Sequence, residues 1–162
     1  MSFLKEIYQY KTALLPLLFN SEEIVRTIDN KDIDPDSPDE LIYKSLYPFL
    51  FIPETQDKVA TYICFDLFVT DVKDNLLKTV ELHFYIFSHQ DHMRTQFGYS
   101  RIDYIQHQID KILNGSTIIG IDNIQLKKSI PLLFGTMPYR GKELIYTVLN
   151  LNQDRCGGWD KV

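Results

Sequence analysis

The residues best equipped for chemistry in this 162-residue chain lie together at His89-Gln90-Asp91-His92, with His83 and His107 elsewhere. Two imidazoles and a carboxylate are ordinary zinc ligands, so a small metal-dependent hydrolase using His89, Asp91 and His92 is one reading. The spacing does not favour it. Ligands at i and i+3 on a loop fix no geometry, and no H-E-x-x-H helix accompanies them. A polar loop bonding to its own backbone is the simpler account. Nucleophilic catalysis has less support. There is no G-x-S-x-G elbow, Cys64 falls within an apolar run, and Cys156 has only Arg155 as a nearby cation. Gly115 to Gly120 lacks the Lys and Ser/Thr of a phosphate loop, and the acids from Asp32 to Glu40 lack the glycine and register of a calcium loop. The motifs therefore assign no catalytic residue, no cofactor and no metal.

The elements that position these residues centre on Val59 to Leu113. Ile63, Phe65, Leu67 and Val69 alternate with Tyr62, Cys64, Asp66 and Phe68, then Val80, Leu82, Phe84 and Ile86 alternate with Glu81, His83, Tyr85 and Phe87. Side chains on a strand change faces at each residue, so this pattern predicts two one-faced strands joined by a hairpin turn at Asp74-Asn75. Ser100, with Asp103 as a capping-box partner, opens a helix striped by Ile102, Ile105, Ile109, Ile112 and Leu113 and closed by Asn114-Gly115.

Upstream, residues 3–19 have helical apolar spacing that Pro16 should kink or break near residues 13–15. Asn20 or Ser21 restarts a short helix, residues 29–39 form an acidic surface loop, and a third short helix fits residues 39–46. Tyr47 to Pro53 is apolar but bracketed by prolines, which confines it to an extended or edge conformation. Downstream, residues 117–130 and 142–149 read as strands flanking a loop from Pro131 to Gly141. The expected fold is α+β: a four-stranded, largely antiparallel sheet with N-terminal helices and one helix between the two strand pairs. Residues 1–150 form one domain and 151–162 a tail whose Trp159 suits docking.

Composition narrows the function. Apolar content of 44% with 24% charged residues is that of an ordinary folded protein. The net charge of −5 argues against duplex DNA as the main ligand. Two cysteines match neither a zinc pattern nor a disulfide framework, so a reducing compartment is expected. No apolar run reaches the roughly 20 residues of a membrane span, and the start lacks signal-peptide order. The 13% aromatic share is high and suits strands or an interface.

Several strings carry a resemblance: N-S-E-E-I-V at residues 20–25, Y-P-F-L-F-I-P-E-T-Q at 47–56, T-Y-I-C-F-D at 61–66, F-Y-I-F-S-H-Q-D at 84–91 and M-R-T-Q-F-G-Y-S-R-I-D at 93–103. In this order they resemble a family of small proteins from the structural modules of tailed phages and prophages, over residues 1–150. The resemblance implies a tail terminator or head–tail joining protein. Such a protein forms a hexameric ring at the neck, contacts the tail tube protein and the head connector or stopper protein, and meets DNA only as it passes through the lumen. The acidic loop would then face that lumen, and the location would be the virion after assembly in host cytoplasm. The contact residues expected on this reading are Tyr47, Phe49, Phe51, Tyr139, Arg140 and Trp159. A small host-interacting phage protein is the alternative to ring assembly.

Overall fold

A computed structural model of the chain describes residues 4–54 and 58–151. Trp159 and Cys156 lie outside these residues. The fold is α+β, with three α-helices and one mixed five-stranded sheet. The elements run α1 (Ile7–Phe19), α2 (Glu22–Ile28), β1 (Leu46–Tyr47), β2 (Thr61–Lys73), β3 (Leu77–His89), α3 (Arg101–Leu113), β4 (Gln125–Leu132) and β5 (Tyr139–Leu151). Sheet order is β1-β2-β3-β5-β4.

The central hairpin forms as its alternation dictates. β2 and β3 pair antiparallel from Thr61↔Ser88 to Lys73↔Leu77. Leu76 N–H donates to the Lys73 carbonyl, with Asp74 and Asn75 both at positive φ. That is the twist a tight hairpin needs, and Asn and Asp tolerate it better than other side chains. β5 inserts between β3 and β4, so α3 carries the chain across the sheet.

Four expectations require correction. The sheet has five strands rather than four, because Leu46–Tyr47 pairs parallel with β2 through Leu46↔Ile63 and Tyr47↔Cys64. A two-residue strand ended by Pro48 is too short to show periodicity. α1 continues through Pro16 as one helix, so the break does not occur. Leu14 and Leu18 on either side of the proline are buried in the core, and packing of this kind outweighs one missing backbone bond. The helix expected over residues 39–46 is a single 3-10 turn, Pro38–Leu41. The strand expected from residue 117 begins only at Gln125. Residues 117–124 instead seat Ile119 and Ile124 in the core, with Ile121 N–H bonded to the Leu149 carbonyl. Gly120 (φ +74) lies so close to Val148 and Leu149 that a Cβ would fall 2.5–2.6 Å from them.

All three helices cover one face of the sheet. Ile63, Phe65 and Leu67 of β2, Val80, Leu82, Phe84 and Ile86 of β3, and Leu144, Tyr146 and Val148 of β5 meet Ile24, Ile28, Ile102, Ile105, Ile109 and Leu113. At the hairpin end this face closes on a buried ion pair: Lys78 Nζ lies 2.5 Å from Glu6 Oε2, both under 3% exposed as whole residues. Beside it, Asn150 Nδ2 donates to the Tyr10 hydroxyl. The capping box does not form. Ser100 is the N-cap, but its hydroxyl reaches Met93 Sδ, and the Asp103 carboxylate pairs with Lys142 of β5. The helix start is tied to the sheet instead.

Candidate functional site: an aromatic ladder with exposed edges

Among the described residues, no helix covers the second face of the sheet. At the end formed by Thr61, His89 and Tyr139 it is covered by two chain segments, residues 47–53 and 133–138. Beneath them Tyr47, Tyr62, Cys64, Phe87 and Tyr139 are buried, with Phe51, Tyr85, Leu132, Phe134 and Met137 packed around them. The rings form a continuous series across the strands. Phe51 stacks on Tyr47 with centroids 4.2 Å apart and planes 5° from parallel. Phe51 and Tyr62 are 5.5 Å apart, Tyr62 and Phe87 5.2 Å, and Phe87 and Phe134 4.7 Å. Tyr139 meets Phe87 edge-on at 5.9 Å, and its hydroxyl donates to the Lys58 carbonyl at 2.7 Å. Offset and edge-on pairs of this kind add about 0.5–1.5 kcal/mol each beyond their burial.

Two features fix the ladder. Gly141 faces Phe87 across the β3–β5 pairing, where a Cβ would stand 2.7 Å from the Phe87 Cβ and 2.6 Å from the Ile86 carbonyl oxygen, so a larger residue there would displace this part of the ladder. Lys11 of α1 reaches around the β2 edge to the Pro48 carbonyl at 2.8 Å and to Asp66 at 2.5 Å, anchoring the 47–53 strip. Burial pushes the Cys64 thiol up to about 12, which leaves it protonated and unreactive at neutral pH. Burial likewise raises the Tyr62 hydroxyl above its usual range.

The structure sorts the expected contact residues into two groups. Tyr47 and Tyr139 are buried within the chain and Phe51 is half-buried, so these rings hold the second face together. Phe49 (43% exposed) and Arg140 are exposed. Phe49 packs at 6.1 Å from the exposed Tyr43, and Leu50, Ile52 and Val59 are exposed in the segments beside it. At the other edge of the sheet, Ile130 on β4 and Leu133 just beyond it (84% exposed) form a separate apolar edge. Sequence reasoning missed Tyr43, and it offered the loop from Pro131 to Gly141 as a contact patch without singling out Leu133. Their signal was present, as apolar residues outside the regular helices and strands.

The histidine cluster does not converge. His89 is buried, and its Nδ1 accepts the Asp91 N–H at 3.2 Å. The Asp91 side chain is 70% exposed. His92 turns the other way, with Nδ1 2.9 Å from Thr61 Oγ1 and Nε2 3.6 Å from the Asp29 carboxylate. Burial and the Arg101 guanidinium hold His92 below the usual histidine range. Among the described residues no three His, Cys, Asp or Glu side chains gather closely enough to hold a metal ion. His92 instead joins a structural node. Arg101 donates from Nε to the His92 carbonyl at 2.6 Å and from Nη1 to the Thr27 carbonyl, tying α3 to α2.

No helix among the described residues is long and apolar enough to cross a membrane. No curated protein matches the chain. A family model, YomW, matches residues 14–148, a span that takes in α2, α3, the whole sheet up to Val148 and both segments covering the aromatic face. The chain belongs to the YomW family, which is phage- and prophage-derived.

Proposed function

We propose that the protein is a structural component of the phage neck, one subunit of a closed hexameric ring that ends the tail tube and joins it to the head connector. A ring needs a heterologous contact, in which two unlike surfaces on each subunit meet those of its neighbours. One observation carries this reading: unlike apolar edges, Tyr43/Phe49/Leu50/Ile52 and Ile130/Leu133, lie at opposite sides of one sheet, linked by the ladder. Exposed apolar surface of this kind marks an interaction site. On this reading the Phe49 edge of one subunit meets the Leu133 edge of the next. The work is binding rather than catalysis, with the tail tube and the connector as partners and DNA passing through the bore. His92 turns away from His89 and Asp91 to bond Thr61, which supports binding over a metal-dependent hydrolase.

Two half-interface variants test the reading. Phe49→Asp and Leu133→Asp should each fold and each fail to assemble on tail tubes. Mixed together, they retain one good edge each and should stop at a capped pair. Normal ring formation by either variant would refute the assignment of these edges.

A further inference from the structure

A second surface, separate from the two sheet edges, opens where α2 ends. A cavity of about 190 Å³ is lined by Arg26, Lys31, Arg101 and one carboxylate, Asp29, together with Phe97, Tyr99 and Tyr104. The last three rings stack in series, 5.8 Å and 5.0 Å apart, with planes within 25° of parallel. They belong to neither buried core, and Phe97 and Tyr99 are 62% and 41% exposed. The turn presenting them is rigid: Thr95 N–H donates to the Tyr99 carbonyl, Gly98 N–H to the Thr95 carbonyl, and Gly98 takes φ +89. Arg26 and Lys31 are available to a ligand, whereas Arg101 is buried and donates to the His92 and Thr27 carbonyls. The Arg26 and Lys31 side chains are 51% and 81% exposed, in surface pairs with Glu23 and Asp29 that hold weakly. Arg101 Nη2 stands 4.0 Å from Asp29 Oδ2, beyond hydrogen-bonding distance. The result is a basic, aromatic pocket on a chain of net charge −5.

Its complement lies on the same chain. Asp32, Asp34, Asp36 and Asp39 are exposed on a loop stiffened by Pro35, Pro38 and turn bonds from Asp32 N–H to Asn30 Oδ1 and Asp36 N–H to Asp34 Oδ1. Asp36 and Asp39 make no ion pair among the described residues, so this loop carries uncompensated charge. Asp29 and Lys31 line both the basic pocket and a neighbouring groove of about 760 Å³ walled by Ile33, Pro35 and Pro38. The acidic loop and the basic pocket therefore lie side by side. Adjacent complementary surfaces satisfy each other reciprocally about a two-fold axis, an isologous contact.

We propose that this surface docks a second copy of the chain, the acidic loop of each copy entering the basic, aromatic pocket of the other. The exposed Pro35 ring beside the acids suits the open face of Phe97. The contact assigns the acidic loop to a protein partner rather than to the lumen of a ring, and it is independent of the Phe49 and Leu133 edges.

A charge swap tests it by sedimentation velocity on the free protein, with circular dichroism confirming that each variant is folded. Wild type should pair in about 0.01 M salt and separate in about 1 M salt, where the screening length falls from about 30 Å to about 3 Å. The pocket variant Arg26→Glu/Lys31→Glu and the loop variant Asp36→Lys/Asp39→Lys should each be monomeric in low salt. Their mixture should pair again, since both contacts are then complementary with signs reversed. Phe49→Asp should pair as wild type does, which separates this contact from the ring contact. Wild type that stays monomeric in low salt, single variants that still pair, or a mixture that does not recover would each overturn the proposal.

Discussion

The two faces of the sheet are built on different principles. The helix-covered face is aliphatic: isoleucine, leucine and valine from three strands meet the stripe of α3 and the short α2, with Phe65, Phe84 and Tyr146 as the main rings. The other face is aromatic and covered by irregular chain, and its buried members come from four separate places in the sequence. Regular elements repeat a simple burial pattern, so aliphatic side chains of similar size suffice. A loop cannot, so its few anchors must each cover much area and fix orientation, which large rings with hydroxyl handles do. The cost of that solution is incomplete coverage. Residues within the covering segments themselves, Phe49 and Leu133 among them, stay exposed, and these are the edges assigned to assembly.

If the aromatic face depends on a few large anchors, removing one should cost most. Phe87→Ala deletes a ring that touches Tyr62, Phe134 and Tyr139, and should destabilise by about 3–5 kcal/mol in chemical denaturation. Ile105→Ala on the helix-covered face should cost about 2–4 kcal/mol, since neighbouring aliphatics can partly close the gap. A loss well under 1 kcal/mol at Ile105 would place the α3 stripe on the surface. Phe49→Asp should change stability by less than about 1 kcal/mol while abolishing assembly, because it lies on the edge rather than in either core.

The smallest effect expected is a pH dependence at the node that ties α3 to α2. His92 is held below its usual range by burial and Arg101, so the unfolded chain binds the proton more readily than the folded one. Stability is therefore complete above the unfolded value of about 6.5 and declines as pH falls below it. His92→Asn should flatten the profile below about pH 6.5. An unchanged slope would place the titration elsewhere. Glu23 and Asp29, both held low, act only in a more acidic window. Glu23 is lowered chiefly by the Tyr104 hydroxyl. At Asp29 burial acts upward but is outweighed by Lys31 and Arg101.

The helix-covered face was legible in the sequence because period-two and helical spacing both report burial directly. Ile63 to Val69, Val80 to Ile86 and the Ile102–Leu113 stripe all read correctly. The aromatic face was legible only in part. Tyr62, Cys64 and Phe87 fell on the second face of strands read as one-faced, and nothing local showed that residues 47–53 and 133–138 would fold over them. Tyr47 and Tyr139 were therefore expected at a subunit contact, where the structure gives them to the monomer's own core. Proline bracketing identified an extended edge but could not reveal the two-residue parallel strand. The basic pocket was invisible for another reason. Arg26, Lys31, Phe97 and Arg101 are brought together only by the packing of α2 against α3, which no spacing encodes.

The most direct test of the ring assignment is two-dimensional class averaging by electron microscopy of the protein, alone and mixed with its tail tube. The account predicts six-fold rings, free or seated on tube ends. Tubes with bare ends and only small particles in both samples would contradict it.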